Sequence, residues 1–204
     1  MRRIILAAAL IGLAATAEAE MYKGYETPDY RVERTSGEVE IRSYPAHLVA
    51  EVTVSGDRST AANRGFRILA GYIFGGNAGS EKIAMTTPVR EIPQKIAMTT
   101  PVTQTGSADS WTITFGMPAV WTRDSLPKPK DDRIRFREVP AERLAAIRFS
   151  GWPTQGSLDR HARTLRDELA KMGEHPEGAP FYMFYDSPFT LPWNRRNEVA
   201  LRLK

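Results

Sequence analysis

Three histidines, His47, His161 and His175, are the side chains in this 204-residue sequence best suited to metal binding or to proton transfer near neutral pH, and they are widely spaced. None has the H-E-x-x-H spacing of a helical zinc site. No serine sits in a G-x-S-x-G elbow, so no Ser/His/Asp triad assembles from the pattern. The chain has no Cys. Thiol catalysis, Cys-ligated zinc, iron–sulfur clusters and C-x-x-C-H cofactor attachment are therefore excluded. The Gly-rich stretch from Gly75 to Gly79 ends a helical pattern instead of opening one, so it lacks the helix N-terminus that a phosphate loop needs. It reads as a cap and turn. No two carboxylates stand out as an acid/base pair.

The aromatic residues carry more information. Phe181, Tyr182, Phe184, Tyr185, Phe189 and Trp193 crowd thirteen residues, with Pro188 and Pro192 among them. They form either core plus a stiff loop, or the apolar wall of a site for a flat hydrophobic ligand with Arg195 and Arg196 at its mouth to meet carboxylates. His161 borders an apolar helical stripe and reads as a satisfied border histidine. His175 reads as solvated loop. His47 opens a strand and points away from Leu48, to solvent or to a pocket.

These residues need a scaffold, and composition bounds it. With 42% hydrophobic and 25% charged residues the chain has an ordinary globular balance, which excludes a disordered tail, a collagen-like chain and a coiled coil. The first nineteen residues are set apart. Met1-Arg2-Arg3 is a basic start, Ile4 to Ala17 is an apolar run, and Ala17-Glu18-Ala19 is an A-x-A cleavage pattern. This is the layout of a secretory signal peptide. The run is shorter than the ~20 residues of a spanning helix. Cleavage after Ala19 would leave one domain, 20–204, exported to the periplasm or secreted. Loss of Arg2, Arg3 and Glu18 takes the formal charge from +4 to +3. No basic run with interleaved aromatics points to nucleic acid. No later apolar stretch is long enough to span a bilayer.

Within 20–204, strands are expected at 30–34, 37–43 and 47–55, the last with Leu48, Ala50, Val52 and Val54 on one face. Asp57 can cap a helix running to about Phe74, with Ala62, Phe66, Leu69, Ala70 and Ile73 as its inner face. Strands follow near 96–104 and 110–117. Pro127 and Pro129 make 126–132 loop. Strands return at 133–139 and 143–150. A second helix starts near Ser157 with Leu158, Ala162, Leu165, Leu169 and Met172 buried and Gly173 as C-cap. Strands near 180–186 and 196–203 close the chain.

Two repeats are present. In one, Arg42 to His47 precedes an apolar strand ending Ser55-Gly56, and Arg137 to Glu142 precedes one ending Ser150-Gly151, an offset of 95 residues. With the repeated element order this argues for two related halves about a pseudo-two-fold axis and one shared core. The other repeat is local. Lys82-Ile83-Ala84-Met85-Thr86-Thr87-Pro88-Val89 recurs identically as Lys95 to Val102, offset by 13. It reads as a tandem duplication at about 82–102 in a domain that needs one copy. The second copy lies a short turn from the strand at Trp111, so it is expected in the sheet and the first extruded. The alternative is a paired thioether site at Met85 and Met98, although Met is usually a gap-filling core residue.

Gly71-Tyr72-Ile73-Phe74-Gly75-Gly76-Asn77, Lys-Ile-Ala-Met-Thr-Thr-Pro-Val, Leu126-Pro127-Lys128-Pro129 and Arg195-Arg196-Asn197-Glu198-Val199, in this order, resemble the SOUL haem-binding protein family over about 25–204. The resemblance implies an α+β domain: a twisted, barrel-like antiparallel sheet with two helices and a pseudo-two-fold repeat of two βαβ-type halves. The fold is also similar to bacterial effector-binding domains. The resemblance further implies non-covalent binding of haem or another tetrapyrrole, often without a dedicated iron ligand. The family's groove lies along the first helix and the loop before the last strand. Here that gives Asn63, Arg67, Ala70 and Gly71 with Phe189, Leu191 and Trp193. The family's basic partners for propionates fall at Asn63, Gly71 and Leu191, so that pattern is not kept. Arg64 and Arg67 could substitute from the adjacent turn, and Arg195 or Arg196 could take the same part. A family position for an iron-ligating His is Ser43 here, which leaves His47 as a weak candidate axial ligand. The expected function is an exported, non-enzymatic haem carrier or buffer. A module for another small hydrophobic ligand, or a tetrapyrrole-processing enzyme, remains the alternative. The oligomeric state is open.

Overall fold

The computed structural model describes residues 21–78, 95–107, 109–187 and 189–204. All of its helices and strands fall within 21–204. The expected signal peptide, 1–19, and the first copy of the duplication, 82–89, lie outside the described residues.

In chain order the elements are β1 (Met21–Tyr22), β2 (Tyr25–Glu26), β3 (Arg31–Ser36), β4 (Val39–Tyr44), β5 (His47–Ser55), α1 (Arg58–Ile73), β6 (Asn77–Ala78), β7 (Val102–Ser107), β8 (Ser110–Gly116), β9 (Lys128–Pro129), β10 (Arg135–Val139), β11 (Glu142–Phe149), α2 (Gln155–Met172), β12 (Pro176–Phe184) and β13 (Asn197–Leu203). Nine strands form one antiparallel sheet in the order β10-β5-β8-β7-β12-β13-β11-β4-β3. The fold is α+β, as the sequence implies. The sheet is open, since β10 and β3 stand at its two edges.

The order carries the symmetry. If β4-β5-α1-β7-β8 and β10-β11-α2-β12-β13 are the two halves, exchanging them reads the eight strands from β10 to β4 back in reverse. Each half lends its first strand to the other: β10 pairs with β5, and β4 pairs with β11. The third strands, β7 and β12, meet in the middle. The 95-residue offset holds residue for residue at the start of β5 and β11, His47 and Glu142. Both Ser-Gly ends turn through a left-handed glycine, Gly56 at φ 119° and Gly151 at φ 98°.

Alternation along the strands divides the apolar side chains between two faces. One face, with Ile41, Val52, Ile113, Phe115, Ile147, Val199 and Leu201, packs under both helices. The second carries Tyr44, Leu144, Ala146, Phe181, Met183, Tyr185 and Ala200. Asp57 caps α1 by accepting from the Ser59 and Thr60 N–H groups. Thr154 caps α2, and Gly173 ends it at φ 73°. The α2 stripe is buried as expected through Leu169, with Met172 half-buried.

Three expectations change. The inner face of α1 is Ala61, Gly65, Leu69, Tyr72 and Ile73, and Ala62, Phe66 and Ala70 flank it half-buried. The cause is Gly65, where a Cβ would stand 2.3 Å from Ile113 Cγ1. The bare backbone lets β8 approach there and turns the helix. Pro127 and Pro129 do not exclude pairing, because β9 forms a two-residue ladder with β6. Only Val102 of the second copy belongs to a strand; of the rest, Thr99 makes a single parallel bridge to Glu26. Ile96 is buried and donates its N–H to Ile73 O at 2.9 Å, and Thr99, Thr100 and Pro101 are buried. Met98 packs half-buried against the core, while Met85 lies outside the described residues.

A buried ion cluster ties the two ends of the chain together. Glu198, with no exposed surface, accepts from Arg42 Nη1 at 2.7 Å and Nη2 at 3.1 Å, from Arg196 Nε at 2.9 Å and from the Tyr185 hydroxyl at 3.0 Å. Burial works against its charge. Hydrogen bonds and charges from Arg42 and Arg196 outweigh burial and hold the carboxyl below the usual carboxylate range.

Two outcomes follow from this packing. Gly65→Ala lowers stability by about 1–3 kcal/mol through overpacking, despite alanine's better helix propensity. In urea unfolding, its cost adds less than fully to that of Ile113→Ala, because the second change removes the clashing atoms. Glu198→Ala leaves the buried Arg196 guanidinium without its carboxylate and Arg42 with Glu40 alone, and costs about 3–5 kcal/mol. Because the folded carboxyl is depressed, its contribution is complete above about pH 4.3 and is lost as pH falls through the lower folded value. The acid limb of urea midpoint against pH is therefore shallower in Glu198→Gln than in the parent.

Candidate functional site

The structure separates the residues expected in one groove into two places. The reason is which half of the sheet each element covers. α1 packs on β5 and β8, whereas α2 packs on β11, β12 and β13. The loop from Asp186 to Arg196 leads into β13 and so belongs to the α2 half. On the outer surface of α1, Asn63, Arg64, Arg67 and Gly71 are exposed and Ala70 is half-buried. Arg67 and Gly71 line an open depression of about 580 Å³ with Tyr72, Gly76 and the turn 130–134. No residue of the C-terminal loop lines it.

That loop builds a second depression, of about 700 Å³. Its walls are Tyr22, Lys23, Glu38, Arg148, Phe149, Ser150, Thr190, Trp193, Asn194 and Arg195. The loop backbone is tightly bonded. Thr190 N–H donates to Ser187 O at 3.0 Å, and Asn194 N–H donates to Leu191 O at 3.0 Å. Gly151 N–H donates to Pro192 O at 2.8 Å, which ties the loop to the end of β11. Arg195 lies 4.3 Å over the Trp152 ring and donates Nε to Thr190 O at 2.8 Å. The N-terminal strand closes one side. Lys23 Nζ donates to Asp186 Oδ1 at 2.5 Å and to Asn194 O at 2.9 Å, and the Tyr22 hydroxyl donates to Asp186 Oδ2 at 3.2 Å. Asp186 also accepts the Arg196 N–H at 2.6 Å. Burial opposes its charge, but these donors hold its carboxyl below the usual range.

Of the expected loop residues, Trp193 lines this groove and is 69% exposed. Leu191, at 52%, and Phe189, at 94%, project from the loop and do not line it. Arg195 lines the groove. Arg196 does not. It is buried, bonded to Glu198 and stacked 4.0 Å over the Tyr185 ring, because side chains alternate faces and its face is the interior one. His47 is also elsewhere. It lies on the sheet face away from the helices, where it lines two adjoining clefts of about 80 and 290 Å³. Its Nδ1 stands 3.1 Å from Pro45 O. His161 is a border histidine, stacked 4.0 Å on Phe149 with Nδ1 at 2.7 Å from Ser157 O.

Lys23, Arg148, Tyr22 and Trp152 were not singled out in the sequence. Arg148 had a signal: it stands on the opposite face from Ala145, Ile147 and Phe149, at the end of a strand otherwise apolar from Leu144. The contribution of Tyr22 and Lys23 depends on a contact across 163 residues and has no local signature.

The groove suits a flat apolar ring bearing carboxylates. Trp193 offers an exposed ring face, and Arg148, Lys23 and Arg195 offer positive charge, while Phe149 lines the groove but is buried and stacked on His161. Arg148 is exposed. No His or Met lines the groove, so a haem here would be held by its ring and propionates, with the Tyr22 hydroxyl the one wall side chain of a type known to ligate haem iron.

Comparisons with known proteins agree on the fold and the family. Similar folds occur in the EcmrR C-terminal domain, with a TM-score of 0.57 at 13% identity over 86% of this chain and 98% of that one. They occur also in a protein from Listeria innocua described as a hydrolase, with a TM-score of 0.53 at 12% identity over 84% and 94%. At these identities the likeness is one of fold alone. Heme-binding protein 2 of Mus musculus and of Homo sapiens are each 31% identical over 192 residues, covering 91% of this chain and 89% of the relative. The family model for SOUL heme-binding protein matches residues 25–202. The chain thus belongs to the SOUL haem-binding protein family.

Proposed function

We propose that this protein is an exported, non-covalent binder of haem or a related tetrapyrrole, acting as a carrier or buffer and not as an enzyme. The observation that carries the reading is the groove under the C-terminal loop, where the exposed Trp193 ring stands with Lys23, Arg148 and Arg195. Burial of the macrocycle supplies affinity by removing apolar surface from water. The cations orient it through the propionates, and the arginine forks can meet a carboxylate bidentately. Export rests on the basic start, the apolar run Ile4 to Ala17 and the Ala17-Glu18-Ala19 pattern. Membership of a haem-binding family supports the ligand. The hydrolase-like neighbour supports no activity at its level of identity, and nucleic acid is not among the proposed partners.

The test is a titration of purified residues 20–204 with haem and, in parallel, with iron-free protoporphyrin, followed by absorbance and by tryptophan quenching. Both are expected to bind one-to-one with similar affinity, because ring and propionates dominate. Arg148→Ala is expected to weaken both about tenfold, the loss of one charge-assisted hydrogen bond. His47→Ala is expected to change neither. Failure of both ligands to saturate overturns the tetrapyrrole reading. Binding of haem alone, abolished by His47→Ala, overturns the groove assignment and moves the ligand to the clefts that His47 lines.

A further inference from the structure

The loop that roofs the groove presents apolar side chains that nothing in the described structure covers. Phe189, Leu191, Trp193, Trp152 and Met21 are all exposed large hydrophobics, and they gather at one end of the molecule. Contacts place them together: Trp152 under Arg195, Gly151 against Pro192, and the N-terminal strand against Asp186 and Asn194. Contiguous patches of this kind mark interaction surfaces. Here the backbone beneath is fixed by hydrogen bonds at Thr190, Asn194 and Arg195, so the side chains are held outward by a built turn.

We infer that this end of the molecule docks on an anionic lipid surface. Charge selects that occupant. Lys23, Arg148 and Arg195 rim the patch against the acids Asp186 and Glu38, which leaves a surplus of one positive charge beside exposed tryptophans. Aromatic side chains flanked by Lys and Arg suit the headgroup region, where the ring is buried and the cation meets lipid phosphate. Docking would set the groove mouth at the bilayer, but it does not require that the groove hold haem.

The test is flotation of residues 20–204, which lack the apolar leader, with vesicles of phosphatidylcholine alone or with 30% phosphatidylglycerol (about 30 mol %, enough to give a strong surface potential). The protein is expected to float with the anionic vesicles, with a blue-shifted tryptophan emission, and to be released by about 1 M salt as the Debye length shrinks to ~3 Å. The double variant Phe189→Ser with Leu191→Ser, neither of which lines the groove, is expected to lose at least about tenfold in vesicle affinity while keeping its melting temperature and its haem titration. Three results overturn the inference. The parent fails to float; the double variant floats as well as the parent; or the parent is a dimer that the double variant dissolves and no vesicle binds, which would make the patch an interface between two copies. A failed haem titration with intact flotation counts against the groove alone.

Discussion

The fold turns on one buried carboxylate. Glu198 lies in the last strand, and the two guanidinium groups that neutralise it come from opposite ends of the chain, Arg42 in β4 and Arg196 beside β13. Arg42 is held twice over, by Glu198 and, through Nε, by Glu40 at 2.7 Å, and its plane stacks 4.5 Å over Tyr30. A lone carboxylate in that position would be untenable in a low dielectric, and so would either arginine. The cluster is therefore stable only when β4, β12 and β13 are all in place. It makes closure of the second half of the sheet cooperative with the arrival of the C-terminus.

The groove inherits its geometry from this arrangement. Arg196 is drawn inward to Glu198, and its backbone N–H then faces Asp186, which sets the exit angle of the loop. Arg195, one residue earlier, points the other way and meets Trp152. Adjacent arginines in one motif thus have opposite roles, one structural and one at the surface. The same Asp186 receives Lys23 and Tyr22, so a single carboxylate orients the loop, the N-terminal strand and the cationic rim together.

How far this was legible from the residues depends on the range of the interaction. Period and caps located both helices: Asp57 and Gly173 act within four residues of the backbone groups they satisfy. The 95-residue repeat predicted two related halves, and the strand order bears it out. The rotation of α1 was hidden because it depends on Ile113, fifty residues away, filling the space over Gly65. A propensity argument sees a glycine that weakens a helix, whereas the packing sees the gap it leaves. The expected single groove divided for a related reason. Sequence order does not say that α1 and the last loop sit over different halves of the sheet. The pair Arg195-Arg196 could not be resolved without knowing which one the buried Glu198 claims.

The thirteen-residue duplication has a consequence for heredity. Buried Ile96, Thr99, Thr100 and Pro101 hold the downstream copy to the fold, and an identical run of eight residues stands thirteen positions upstream. Misaligned replication between the two stretches would add or delete thirteen codons and still spell the docked residues unchanged. Descendants of this gene can therefore differ in length without a single altered core side chain.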